Sequence, residues 1–75
     1  MNAKRRKELQ KALDYLNLSK DIIDNMRDEE QQAFDNMPEG LQMSDKGTDM
    51  EEAIGNLEDA ISSLEDTVNS VEAVI

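Results

Sequence analysis

From Glu51 onward the chain can be written in sevens: EEAIGNL (51–57), EDAISSL (58–64), EDTVNSV (65–71), then EAVI. Ile54, Ile61, Val68 and Ile75 fall at one seam position, and Met50, Leu57, Leu64 and Val71 at the other. Apolar side chains recurring about every 3.5 residues form a stripe along a helix, and that stripe has to be covered by another helix. Ala53, Ala60 and Thr67 widen the stripe on one side. A stripe this wide exceeds the need of a two-stranded seam and suits a bundle of three or four helices.

The first half supplies a covering helix. Leu9, Leu16, Ile23 and Met37 recur in sevens, with Glu30 interrupting the row, and Ala12, Ser19, Met26 and Ala33 form the accompanying row. Leu13, Ile22 and Phe34 broaden the pattern, and Glu30 reads as a place where the seam is wet or frayed. No Pro or Gly precedes Pro38, so nothing breaks an amphipathic helix before it. Pro38 disfavours α conformation at Met37 and should end that helix.

The segment from Pro38 to Gly47 then reads as a connector with room for one helical turn, and two N-cap signals follow, Ser44 and the Thr48/Glu51 capping box. The expected architecture is all-α: a single domain over 1–75, with a helix at 3–36, an elbow at 37–44 and a helix at 45–74. The two helices form an antiparallel hairpin with a heptad seam. If Leu9 faces Ile75, Lys20 comes near Glu65 and Arg27 near Glu58. The apolar tip, Val71, Val74 and Ile75, should pack on the start of the first helix or on a second copy.

A chain of 75 residues buries only a modest core, and with no Cys and no His it lacks disulfide and zinc staples. The remaining staple is self-association, so two hairpins are expected to dimerise into a four-helix bundle. The expected seam residues are Leu9, Leu16, Ile23, Met26, Met50, Ile54, Leu57, Ile61, Leu64, Val68, Val71 and Ile75.

Charge narrows the function. The formal net charge is −10. Lys4, Arg5, Arg6, Lys7 and Lys11 crowd the N-terminus, and no cation follows Lys46. The second half repels nucleic-acid phosphates and anionic lipid, so neither direct nucleic-acid binding nor membrane binding is expected. The basic start lacks the apolar run of a secretory signal, and no stretch approaches a membrane span, so a cytoplasmic location in a host cell is expected. The basic cluster reads as an internal partner for the acidic helix.

With neither His nor Cys, the usual bases and thiol nucleophiles are missing, and the chain reads as a non-enzyme. Glu-x-x-His is impossible, and the segment 35–47 does not match a calcium loop, so neither metal nor cofactor is expected. The acid pairs Glu51-Glu52, Glu58-Asp59 and Glu65-Asp66 recur every seven residues, about 10.5 Å apart at ~1.5 Å per residue. The plain reading is a solvated helix face. The sharper one is a carboxylate ribbon that imitates a phosphate backbone, with Glu58, Asp59, Glu65 and Asp66 meeting a protein partner.

The stretch from Arg27 to Gln42, RDEEQQAFDNMPEGLQ, is the least generic part of the chain. With the following SDKG it resembles small acidic helical proteins carried by bacteriophages and integrative elements of Gram-positive bacteria, which share a D-E-E-Q-x-A-aromatic-D-N-x-P-E-x-L-Q core. Gly40 departs from the Ser expected there. The group brings no catalytic or binding residue with it. It implies a context in which such proteins act as inhibitors or adaptors on a host protein, with a structural or assembly role as the alternative. It also implies that the elbow is specific. Either Asp35 or Asn36 orders it by bonding free backbone groups, or Glu29, Phe34 and Asp35 belong to a partner-binding tip.

Overall fold

The computed structural model describes all 75 residues and is entirely helical: α1 (Ala3–Asp35), α2 (Glu39–Gln42) and α3 (Asp45–Glu72). At about 1.5 Å per residue, α1 is about 50 Å long and α3 about 42 Å. The molecule measures 58 × 14 × 12 Å, so the two long helices must lie side by side. Its radius of gyration, 17.1 Å, is well above the roughly 11 Å of a compact chain of this length.

Each long helix begins on a polar cap. Asn2 Oδ1 accepts the Arg5 N–H at 2.9 Å. Ser44 caps α3: its hydroxyl oxygen accepts the Gly47 N–H at 3.4 Å, and its carbonyl accepts the Thr48 N–H at 2.9 Å. Of the two candidate caps, Ser44 is therefore the one used, and Thr48 lies inside the helix.

α1 stops at Asp35, and the Asn36 and Met37 N–H groups bond back to the Gln32 and Phe34 carbonyls, each at 3.0 Å. Pro38 is extended, with φ −56° and ψ 145°, and its carbonyl starts the single turn α2 by accepting from Leu41 and Gln42. The Gln42 side chain then reaches back, donating from Nε2 to the Phe34 carbonyl at 2.8 Å. The elbow is thus ordered by Gln42. The Asp35 carboxylate instead accepts from Gln31 Nε2, within its own helix, at 2.9 Å.

Gly47 is buried in the first turn of α3, where that turn crosses the end of α2. A Cβ there would overlap the Gln42 carbonyl and lie 2.7 Å from its Cα. No residue has positive φ, so what Gly47 supplies is space and not an unusual backbone conformation.

The hydrophobic core is a single row. Leu13, Ile54, Ile61 and Val68 are buried, and the alternate α3 positions Met50, Leu57, Leu64 and Val71 are half-buried beside them. Burial every seventh residue at 54, 61 and 68 gives α3 its coiled-coil-like character.

On α1, Leu9, Leu16, Ile23, Glu30 and Met37 are half-buried. The row that accompanies them is Leu13, Lys20, Arg27 and Phe34, one residue later than Ala12, Ser19, Met26 and Ala33. One residue is about 100° round a helix, so Ser19, Met26 and Ala33 turn outward while Lys20 and Arg27 turn inward. Their long aliphatic stems lie along the seam and their charged ends reach its edge, which a pattern based on charge alone reads as outward-facing.

Candidate interaction surfaces

Lys20 marks the register of the hairpin. Its Nζ lies 3.1 Å from Asp24 Oδ2 on its own helix and 3.6 Å from Glu65 Oε1 on α3. The hydrogen bond and charge of Asp24, with a smaller contribution from Glu65, hold the ammonium above the ordinary lysine value. About two turns further on, Arg27 pairs with Asp28 at 2.8 Å and Asp24 at 3.5 Å. The Asp28 hydrogen bond is the main cause of its raised pKa, and Glu58 adds to it from beyond ion-pair distance.

With 20 opposite 65, facing residue numbers sum to 85, and Ile75 falls opposite residue 10. Glu72, the last residue of α3, falls opposite residue 13, so nearly three turns of α1 lie beyond the end of α3. Val74 and Ile75 remain 49% and 42% exposed while Val71 is half-buried, so the C-terminal tip is only partly covered within the chain. Lys4, Arg5, Arg6 and Lys7 are all exposed and none takes part in an ion pair, contrary to their expected role as internal partners of the acidic helix. The overhang explains this: there is no acidic turn of α3 beside them. Lys11 alone of the N-terminal cations is paired, with Glu8 at 3.0 Å.

Glu58, Asp59, Asp66 and Glu65 are exposed along α3, and of the four only Glu65 forms an ion pair. At the elbow, Glu29 and Asp35 are exposed while Phe34 is half-buried. The elbow residues are therefore not one surface: Phe34 turns toward the seam and the two carboxylates turn away from it. No group of three carboxylates converges in a way that would hold a metal ion, and no helix is long and apolar enough to cross a membrane.

The largest departure from the sequence pattern is on the outer side of α1. Tyr15, Leu18, Ile22 and Met26 are 70%, 58%, 54% and 47% exposed. Their spacing places them on one stripe, about a third of a turn round the helix from the seam. Met26, expected as a seam residue, and Ile22, read as broadening the seam pattern, belong to this stripe instead, because the inner row runs one residue later through Lys20 and Arg27. Α continuous apolar strip on so acidic a chain is an unsatisfied surface, since scattered single apolar residues need no explanation but a contiguous patch does. Lys11 and Glu29 bound it along the helix.

Comparison with protein-family models, with curated proteins and with solved structures gives no match.

Proposed function

We propose that this chain is a non-enzymatic protein-interaction module, an inhibitor or adaptor of a bacteriophage or mobile element that acts stoichiometrically on a host protein inside the cell. The observation that carries this reading is the uncovered stripe Tyr15, Leu18, Ile22 and Met26, a helix face with i, i+3, i+7 anchors of the kind that docks into a partner's groove or onto a partner's helix. The ribbon of Glu58, Asp59, Glu65 and Asp66 offers a second contact, a row of exposed carboxylates that can stand in for phosphate charge. The resemblance of the 27–42 stretch to phage and integrative-element proteins supplies the context.

The test is capture of partners from host lysate by the tagged chain, compared with Leu18→Glu/Ile22→Glu and with a chain carrying Glu58→Gln, Asp59→Asn, Glu65→Gln and Asp66→Asn. One host protein retained at fixed stoichiometry by the wild type, and lost with either variant, supports the reading and identifies the surface used. Retention by both variants removes both surfaces from consideration. The alternative, a structural or assembly component, is favoured by the self-complementary charge pattern around the α1 stripe and is supported by recovery of phage structural proteins in place of a host protein.

A further inference from the structure

The outer stripe of α1 is symmetrical in a way that identifies what covers it. Read from the N-terminus, that face runs Lys11, Tyr15, Leu18, Ile22, Met26, Glu29: a cation, four apolar side chains, an anion. Reversed and laid on itself about a two-fold axis, it is its own complement. Leu18 meets the partner's Ile22, Tyr15 meets the partner's Met26, and Lys11 meets the partner's Glu29, because the residue numbers in these pairs sum to 40 or 41. We propose that α1 of a second copy, antiparallel and in this register, is the occupant of the stripe. The inference rests on the reading of this face as a macromolecular contact surface; it seats a second copy there, so a host protein either competes with that copy for the stripe or binds the acidic ribbon of α3.

An independent feature of the helix agrees. The positive end of a helix dipole lies at its N-terminus and favours acidic residues there, with basic residues favoured at the C-terminus. α1 has no acidic residue in its first turn and no basic residue in its last. Instead Lys4, Arg5 and Arg6 stand at its positive end, and Asp35 at its negative end. Within one chain this arrangement is unfavourable, and nothing on α3 relieves it because the basic turn overhangs. Two antiparallel α1 helices bring the basic end of each beside the acidic end of the other. A symmetric closed dimer of this kind uses one patch twice.

The stripe is about a third of a turn from the seam, so each α3 stays on the outside of the dimer. Its acidic ribbon then remains open to a further partner. The contact runs over about 28 Å of helix at ~1.5 Å per residue, which is small for a protein interface, so the dimer dissociates on dilution.

Sedimentation equilibrium of the full chain over a wide concentration range tests the proposal. The expected result is a concentration-dependent mass rising to twice 8.5 kDa. Leu18→Glu or Ile22→Glu should hold the chain at monomer mass with its helical circular dichroism intact, since both side chains are already exposed. Lys11→Glu and Glu29→Lys should each weaken association about tenfold, and together should restore most of it, at about 1.4 kcal/mol per tenfold.

Because the chain has no Cys, orientation can be read from introduced ones. Mixed Leu18→Cys and Ile22→Cys chains should form the mixed disulfide faster than either homodisulfide. Faster homodisulfides, a dimer unmoved by Ile22→Glu, or a wild type monomeric at millimolar concentration would each overturn the proposal. If the wild type is monomeric but Leu18→Glu/Ile22→Glu abolishes capture of a host protein, the second-copy inference falls and the interaction reading stands. If the variant changes neither mass nor capture, both fall.

Discussion

Lys20 Nζ stands 3.6 Å from Glu65 Oε1 and is the only cation that forms an ion pair between the two long helices. Its stem is half-buried in the seam, so it is at once part of the packing and the marker of register. Lys20→Met should keep the packing and lose the charge, changing stability little at neutral pH, because partly exposed pairs contribute modestly. Lys20→Ala should be clearly worse, because it also removes the stem. Thermal melts of the two variants separate the contributions, and equal losses would show that charge alone matters.

The pH dependence of this site has a definite sign. Asp24 and Glu65 raise the Lys20 pKa in the folded state above its ordinary value. The stabilisation is fully present below the ordinary lysine value and is lost as pH rises through the raised folded value. Between pH 6 and 9 the difference in melting temperature between wild type and Lys20→Met should therefore be constant, and it should shrink only above about pH 10.4. A difference that changes near neutrality would assign the effect to another group.

The two glycines of α3 should behave oppositely. Gly55 is exposed in mid-helix with open space where a Cβ would stand, so Gly55→Ala should stabilise by about 0.5–1 kcal/mol. Gly47→Ala forces a methyl into the Gln42 carbonyl and should destabilise by about 1–3 kcal/mol. Urea denaturation of both variants decides this; a stabilising Gly47→Ala would mean that the elbow can shift without loss.

Ile61 is the midpoint of the buried row and only 7% exposed. Ile61→Ala should cost about 2–4 kcal/mol, a large fraction of the stability of a chain this size. Ile22→Ala, at a side chain 54% exposed, should cost the isolated hairpin far less. Circular dichroism melts at low concentration, where any dimer is dissociated, would show whether the inner row outweighs the outer stripe.

Salt should stabilise this protein. Five of its eight cations lie in the first eleven residues, and eighteen carboxylates give a net charge of −10, so self-repulsion exceeds the few partly exposed attractions. Screening shortens from about 10 Å at 0.1 M to about 3 Å at 1 M ionic strength, and the melting temperature should rise with sodium chloride over that range. A fall would mean that the Lys20 and Arg27 clusters dominate.

The helical character of the chain and the length of α1 were legible in the sequence because nothing between Asn2 and Pro38 interrupts a helix, and the α3 heptads marked Ile54, Ile61 and Val68. α1 was harder. It carries apolar residues on two faces, and periodicity alone cannot say which face meets α3. Leu13, Lys20, Arg27 and Phe34 form the inner row because two long basic stems pack in the place that the sequence pattern assigns to Ser19 and Met26. A rule that places every charge outside rotates the helix the wrong way.

The elbow resisted for a different reason. Gln42 and Gly47 meet across the α2–α3 junction, and neither the bond to the Phe34 carbonyl nor the close approach has a local signature. Ser44 and Thr48 were equally good caps until the turn α2 fixed where the chain re-enters a helix.

A rod of 58 × 14 × 12 Å meets far more friction in solution than a sphere of equal mass. On a gel-filtration column calibrated with globular standards, a single hairpin will emerge early and pass for a dimer. An antiparallel pair joined side by side along α1 gains thickness with less change in length, so the two species will be separated by less than their masses imply. Elution volume is consequently a poor judge of association here, and mass must come from sedimentation equilibrium or light scattering.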